Sequence, residues 1–271
     1  QNRDFVAPLY ARHRFDGLLT RNLLYPFSRA LFGKSVRELR ATEFGFSGRL
    51  ASKCLDSTEW ENDGIRSTAE TWMAFTALSN SFSCCQAFLG PKPRSSSVAV
   101  VDVIREAVAG FFWCLESTEK YWLSGCDPSP LDTIGPDHQL TSEPVRVDRK
   151  KLFQLYRTGI AELSEILGSI LCPDTHAELV RLAALDENTF RFSNSLWVRT
   201  IYEFASAYHR SVINRGHLVQ ALIPIYRGRV HSFLTVHRSD DPETVEADLD
   251  DLCSEFLRQR GFLFERWSMK G

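Results

Sequence analysis

Apolar residues at helical spacing constrain the fold of this chain more than any other feature of its sequence. From residue 98 onward they recur at intervals of three, four or seven, which places them on one face of an α-helix. The first such series is Val101, Ile104, Val108, Phe111, Leu115 and Trp122. Patterns of this kind predict helices at about 98–123, 148–171, 174–185, 194–213, 217–236 and 241–260. We therefore expect residues 98–271 to form an essentially all-α C-terminal domain.

The last predicted helix carries the clearest end signals. Asp241 is suited to cap the first backbone N–H groups, Pro242 to occupy the first helical position, and Gly261 to end the helix. A D-x-D sequence lies at 248–250, within this helix. Because it does not follow a strand, we do not expect it to bind a metal.

The first 95 residues alternate between short strands and helices. Strands are predicted at 4–9 and 82–89, helices at 16–32 and 66–80, and a short glycine-punctuated aromatic segment at 43–48. Pro8 is expected to end the first strand. Asp16 is a plausible N-cap of the first helix, and Gly33 its stop.

The segment GPKPRSSS at 90–97 separates these two parts and has the composition of a linker. The sequence therefore predicts an α+β fold that is mostly α. Residues 1–95 would form a partial α/β domain, and residues 98–271 the all-α domain.

Charge and cysteine content limit the classes of function. A net charge of −2 and a pI of about 6.4 do not indicate a nucleic-acid or membrane-surface partner. Residues 1–50 hold nine Lys and Arg against four Asp and Glu, an excess that suits an anionic ligand. Seven cysteines, an odd number without a C-x-x-C pair, predict reduced thiols in a cytoplasmic protein. No apolar run approaches the ~18 residues of a membrane span.

Three segments of the first ninety residues carry a family resemblance. They are PLYARHRFDGLLTRNLLYPFSRALFGK with EFGFSG, then WENDGIRSTAETW, then QAFLGPKPR. Together they resemble bacterial family 2-like GT-A glycosyltransferases of the mannosylglycerate and glucosyl-phosphoglycerate synthase group. The resemblance begins at about Asp4, covers the acceptor half of that fold and extends into a helical C-terminal region. The nucleotide-sugar half, with its D-x-D metal motif, is accordingly expected upstream of Gln1.

The resemblance implies an acceptor pocket around Arg12. A planar guanidinium can pair with the carboxylate or phosphate of a small acid through two hydrogen bonds, so we expect Arg12 to be free to meet an anion. Tyr10, Asp16 and Thr20 would flank it, and His13 is a further binding candidate. The alternative is that residues 12–14 form a solvent-facing basic turn.

Two acids are implied as catalytic residues. Glu70 would lie against the acceptor hydroxyl, to orient or deprotonate it, and Glu43 would lie at the lip of the pocket. For each, a plain surface acid is the competing interpretation.

Three departures from the family pattern affect these expectations. Ala41 and Thr42 stand where the family usually has two glycines, and their side chains should crowd the donor. Glu70 stands where the family typically has Asp. Arg94 stands where a His usually ligates the divalent metal, and although Arg cannot coordinate a metal it could neutralise a diphosphate directly.

The function implied is transfer of a hexose from a nucleotide diphosphate sugar to a small acidic acceptor such as glycerate or phosphoglycerate. The family uses Mg²⁺ or Mn²⁺, whose ligands cannot be identified in this chain. The rival interpretation is a non-catalytic fragment or degenerate paralogue whose helical domain mediates self-association into a homo-oligomer.

Overall fold

Strand residues near both ends of the first ninety positions pair to form a mixed sheet. The computed structural model describes residues 3–61, 68–92, 100–135 and 147–269. The strands are Phe5–Ala11 (β1), Gly45–Phe46 (β2), Cys84–Pro91 (β3) and Thr133–Ile134 (β4), in the spatial order β2-β1-β3-β4. β1 and β3 are parallel, β3 and β4 are parallel, and β2 is antiparallel to β1.

Pro8 does not end β1 as predicted, because the strand continues to Ala11 and Pro8 pairs with Ala87. β2 pairs only with Phe5 and Val6. A strand without a partner on one side accommodates the missing N–H of a proline.

The first unit, Gln1–Pro144, also contains helices and helical turns among its described residues. They are a π-helical turn Thr20–Leu24, α1 (Tyr25–Phe32), α2 (Gly48–Leu55), a 3-10 turn Thr58–Glu61, α3 (Ala69–Ser79), α4 (Val100–Ser117) and α5 (Glu119–Trp122). The helical segment before α1 starts at residue 18, two residues later than predicted, because the carbonyl of Gly17 accepts its first bond from Arg21 N. Gly33 ends α1 in the left-handed conformation, as predicted.

The division between the units differs from the predicted one at 90–97. Phe111 of α4 packs against Phe27 and Phe75, with ring centroids 5.3 and 5.4 Å apart, so α4 belongs to the first unit. A linker composition marks the end of an element but does not say on which side the next helix packs. Residues 93–99 lie outside the described part of the chain.

The second unit, Val145–Gly271, consists of helices and connecting loops, with no strand among its described residues. Its helices are α6 (Arg149–Glu162), α7 (Ser164–Ile170), α8 (Pro173–Ala183), α9 (Asn194–His209), α10 (Arg215–Val236), α11 (Pro242–Arg258) and α12 (Arg260–Ser268). Asp241 caps α11 by accepting from Thr244 N at 2.7 Å, as predicted. Gly261 was expected to end this helix, but it lies inside α12.

Close packing and a buried carboxylate hold the second unit together. Glu203 of α9 is fully buried and accepts from Cys172 N and Thr175 Oγ1, both at 2.9 Å, which satisfies the start of α8. α6 and α10 cross closely at Gly159 and Gly228.

Taken over both units, the fold class is α+β and mostly α, as the sequence predicts. Within the described residues, no helix combines the length and the apolar character needed to cross a bilayer.

Candidate functional site

The residues that the resemblance implies lie around the carboxyl ends of the parallel strands β1 and β3. Open α/β sheets bind ligands at this edge. Tyr10 lies at the end of β1, with Arg12 directly after it, and Lys92 follows β3. The Lys92 ammonium lies 4.8 Å from the centroid of the Tyr10 ring, so the two strand ends are in direct contact.

Arg12 is held by two carboxylates. Its Nε and Nη2 donate to the two oxygens of Glu38 at 2.6 and 2.8 Å, and its Nη1 donates to Asp16 at 3.3 Å. Burial lowers the pKa of Arg12, but Glu38 and then Asp16 outweigh it and raise the pKa overall. The guanidinium is therefore not the free cation that the sequence predicts.

The turn after Arg12 fits closely around its side chain. Gly17 has φ +64°, and a Cβ there would lie 3.4 Å from Arg12 Cδ. Asp16 accepts from Gly17 N at 2.8 Å, which fixes the carboxylate that faces Arg12. A residue with a side chain would be strained at this position and would press on the guanidinium stem.

Tyr10 and Glu43 form a second pair at the same edge. The Tyr10 hydroxyl donates to Glu43 Oε2 at 2.7 Å. This bond, aided by the charge of Lys92, lowers the pKa of Glu43, while burial and the same bond raise the pKa of Tyr10. Glu43 is exposed and ionised, so it can accept a hydrogen bond from a ligand hydroxyl.

A buried aspartate positions the segments that carry these pairs. Asp4, at the start of β1, accepts from Ser47 Oγ and Ser83 Oγ, both at 2.8 Å, and from Arg49 Nη2 at 2.6 Å. Arg49, followed by the two serines, holds the pKa of Asp4 well below its usual range. Asp4 thus ties β2 and the start of β3 to β1, which sets the place of Glu43.

Glu70 is connected to this cluster indirectly. It lies in the first turn of α3 and acts electrostatically on Arg40, whose pKa burial lowers against the opposing charges of Glu70 and Glu106. Arg40 and Glu38 lie on one turn, closed by a bond from Ala41 N to Glu38 O at 3.3 Å. Within the described residues, neither a hydrogen bond nor an ion pair joins Glu70 to Arg12 directly.

The remaining predicted residues have other places. His13 shapes the turn, since its carbonyl accepts from Asp16 N and its Nδ1 accepts from Phe15 N at 3.2 Å. Thr20 begins the π-helical turn, where its carbonyl accepts from Tyr25 N. Arg94 lies outside the described residues.

The predicted crowding at positions 41 and 42 concerns only one of the two residues. Ala41 is buried, with 2% of its surface exposed, so its methyl group lies in the interior. Thr42 is exposed. The Ala41 side chain therefore adds nothing to the outer face of the site, and of these two residues only Thr42 could crowd it.

Two residues of the site were missed by sequence reasoning. Glu38 lies in an ordinary charged segment, VRELR, that carries no signal of a buried pair. Lys92 could have been found, because it directly follows a predicted strand whose carboxyl end should lie beside that of β1.

The carboxylates at this edge do not form a metal site among the described residues. Glu38 and Asp16 are paired with Arg12, and Glu43 is bonded to Tyr10. Over 3–61, 68–92, 100–135 and 147–269, no group of three His, Cys, Asp or Glu residues could hold a metal ion.

Neither a scan against models of protein families nor a search of curated proteins found a match to this chain.

Proposed function

We propose that this chain carries the acceptor-binding part of a glycosyltransferase that transfers a hexose from a nucleotide diphosphate sugar to a small acidic acceptor. The observation that supports this proposal is that residues implied by the resemblance lie together in space. At the carboxyl ends of β1 and β3 the structure brings together Tyr10, Arg12, Asp16 and Glu43. Glycerate and phosphoglycerate are acceptors of the right size and charge.

Two cations at this edge can recognise the acid. A guanidinium has five N–H donors, and the contacts to Glu38 and Asp16 use three, which leaves two outside these bonds. Lys92 adds a point charge on the neighbouring strand. In this arrangement Glu38 and Asp16 fix the orientation of Arg12 and offset its positive charge.

The ionised Glu43 is suited to the acceptor hydroxyl. As the hydroxyl oxygen bonds to the anomeric carbon and the bond from that carbon to the diphosphate oxygen breaks, the hydroxyl proton passes to a carboxylate or to the departing diphosphate. Glu43 can take that role directly because it is exposed. Glu70 would act at a distance, through Arg40 and the turn that carries Glu38.

The second candidate is a non-catalytic chain whose helical domain mediates self-association. The pairing of Arg12 with two carboxylates favours it, because such a pair is satisfied without a ligand.

Titration with glycerate and with 3-phosphoglycerate, followed by calorimetry, separates the two candidates. We expect saturable binding of each acid at a site whose affinity Lys92→Gln weakens about tenfold, or 1.4 kcal/mol. Lys150→Gln is the matched control, an exposed lysine on α6 in the second unit that should leave affinity unchanged. If neither acid binds, or if both variants weaken binding equally, the acceptor site is excluded and the non-catalytic candidate stands.

A further inference from the structure

The second unit contains a partly open cavity, lined by both charged and apolar residues, that the proposed function does not use. It has a volume of about 250 Å³ and lies where the start of α9, the second half of α10 and the middle of α11 meet. That is about eight times the ~30 Å³ that one water occupies in the liquid, which is room for a small ion with some hydration. The residues of its wall that matter here are Arg191, Phe192, Asn194, Arg229, His237 and Asp248.

Arg229 brings a positive charge into the interior. It is 4% exposed, and its Nη1 donates to the carbonyl of Phe192 at 2.9 Å. Burial lowers the pKa of Arg229 to about 10, against the opposing charge of Asp248. A guanidinium in a helical core is costly to desolvate, and an apolar residue would pack there at lower cost. Its presence in a cavity wall is therefore a sign of a binding role.

The one acid in the wall makes its hydrogen bonds to other residues, although its charge also acts on Arg229. Asp248 bonds to His237 Nε2 at 3.1 Å and accepts from Asn194, while Asp240 bonds to His237 Nδ1 at 2.9 Å. The hydrogen bond from Asp248, helped by Asp240 and opposed by burial, raises the pKa of His237. When His237 is protonated, it forms with Arg191 and Arg229 a group of three cations, against the two carboxylates of Asp240 and Asp248.

Arg191 supplies the second guanidinium from the segment before α9. It is exposed, and its Nη1 donates to the carbonyls of Asn188 and Phe190, both at 2.8 Å. Because it is anchored to backbone rather than to a carboxylate, its charge is available to the cavity. The start of α9, a 16-residue helix capped by Ser193, lines the same space and adds a favourable dipole for an anion.

We propose that this cavity binds a small oxyanion, specifically a phosphate group, between Arg191 and Arg229. Two guanidinium groups on adjacent walls provide the planar, charge-assisted donors that phosphate oxygens accept. The group is either free phosphate or the head of a phosphomonoester, whose remainder would extend through the side where Arg191 is exposed.

Titration of the whole chain with inorganic phosphate and with glycerol phosphate tests the proposal. We expect a saturable site tighter than about 1 mM whose affinity falls tenfold or more in Arg191→Gln and is unchanged in Arg181→Gln. Arg181 is the matched control, since it is an exposed arginine paired with Glu178 on α8. Arg229→Met should abolish binding, but this residue is buried and its loss can also affect folding, so the comparison of Arg191→Gln with Arg181→Gln decides.

The outcomes separate the sources and the alternatives. Tighter binding of glycerol phosphate identifies a phosphomonoester, and equal or weaker binding identifies free phosphate. Saturable binding of neither, or an equal loss in Arg191→Gln and Arg181→Gln, would overturn the proposal. Because the acceptor site lies in the other unit and is tested with Lys92→Gln, failure of one proposal leaves the other intact.

Discussion

Charged side chains in this protein differ in how far their ion pairs are shielded from solvent. Arg12 and Glu38 keep only 15% and 9% of their side chains exposed, whereas Arg181 and Glu178 keep 58% and 41%. Solvent screens the second pair and leaves the first largely unscreened. The two pairs therefore offer a comparison between the same chemical types in different surroundings.

Glu38→Gln should destabilise the first unit by about 2 kcal/mol, because it leaves the half-buried Arg12 without its principal partner. Glu178→Gln, the control, should cost no more than about 0.5 kcal/mol. Urea unfolding of the two variants and the parent protein measures the difference. Equal effects of the two substitutions would show that the Arg12 pair contributes no more than a surface pair.

The raised pKa of His237 makes the stability of the second unit depend on pH. The folded state holds this proton more tightly than the unfolded chain, so the stabilisation is complete below the ordinary value of 6.5 and is lost as pH rises through the raised pKa. The advantage of the parent protein over His237→Gln, measured by urea unfolding from about pH 5.5 to about 9, should shrink with rising pH. Asp248→Asn, which removes the main cause, should flatten the dependence; a constant advantage would contradict this assignment.

The local part of the candidate site could be predicted from the sequence, and the distant part could not. Tyr10, Arg12 and Asp16 lie within one seven-residue stretch, where composition and resemblance act together. Glu38 is 26 residues from Arg12. Nothing local distinguishes it from a solvated acid, because its role depends on how the chain returns to the end of β1.

Among whole elements, the crossing of α6 and α10 brings two helices of the second unit into very close contact. A Cβ at Gly159 would lie 2.2 Å from Pro224 Cβ, and one at Gly228 would lie 2.5 Å from Tyr156 Cδ2. Tyr156 is fully buried and bonded through its hydroxyl to Leu179 O at 2.7 Å, so its ring cannot move aside at low cost. Small residues at both positions allow the two helices to approach.

Gly228→Ala should therefore destabilise the protein by about 1–3 kcal/mol through overpacking, despite a gain of up to about 1 kcal/mol in helix propensity. Gly261→Ala is the matched control, since this glycine lies in α12 and a Cβ there would meet nothing within 4 Å. It should be neutral or stabilising by up to about 1 kcal/mol. Thermal and urea unfolding measure both effects, and a stabilising Gly228→Ala would show that the crossing can relax.

Periodicity predicted the helices well where one face is buried, and end signals were less reliable. The segments at 174–185 and 217–236 match α8 and α10 to within two residues at each end. Gly261 is a residue type that commonly ends a helix, but the chain continues as α12 because Leu263 and Trp267 are buried. The rings of Trp267 and His209 stack with their centroids 4.1 Å apart. Tertiary packing of this kind overrides a local signal.

At the scale of the whole molecule, the assignment of α4 to the first unit has a consequence for fragments. The buried face of α4 includes Phe111, which packs on Phe27 and Phe75. A fragment that begins at residue 98 carries this apolar face without those partners. A fragment that begins at residue 145 does not.

A fragment of residues 145–271 should fold alone, with strong helical circular dichroism and a cooperative urea transition. A fragment of residues 98–271 should show the same transition but associate, because α4 exposes its apolar face. Size-exclusion chromatography at several concentrations measures the difference. If 145–271 is unfolded while 98–271 is folded and monomeric, the boundary lies nearer to the linker composition at 90–97.

The parallel pairing of β1 with β3 also governs what happens while the chain is being made. Asp4 and Ser83, which bond at the start of these strands, are 79 residues apart. At a synthesis rate of about 5–20 residues per second, β3 is synthesised on the order of several seconds after β1. During that interval its backbone groups and the apolar side chains Phe5 and Ala7 are uncovered, and an unpaired strand can pair with another chain instead. We therefore expect that the nascent first unit, with β1 unpaired, needs protection by chaperones before the helices of the second unit have been synthesised.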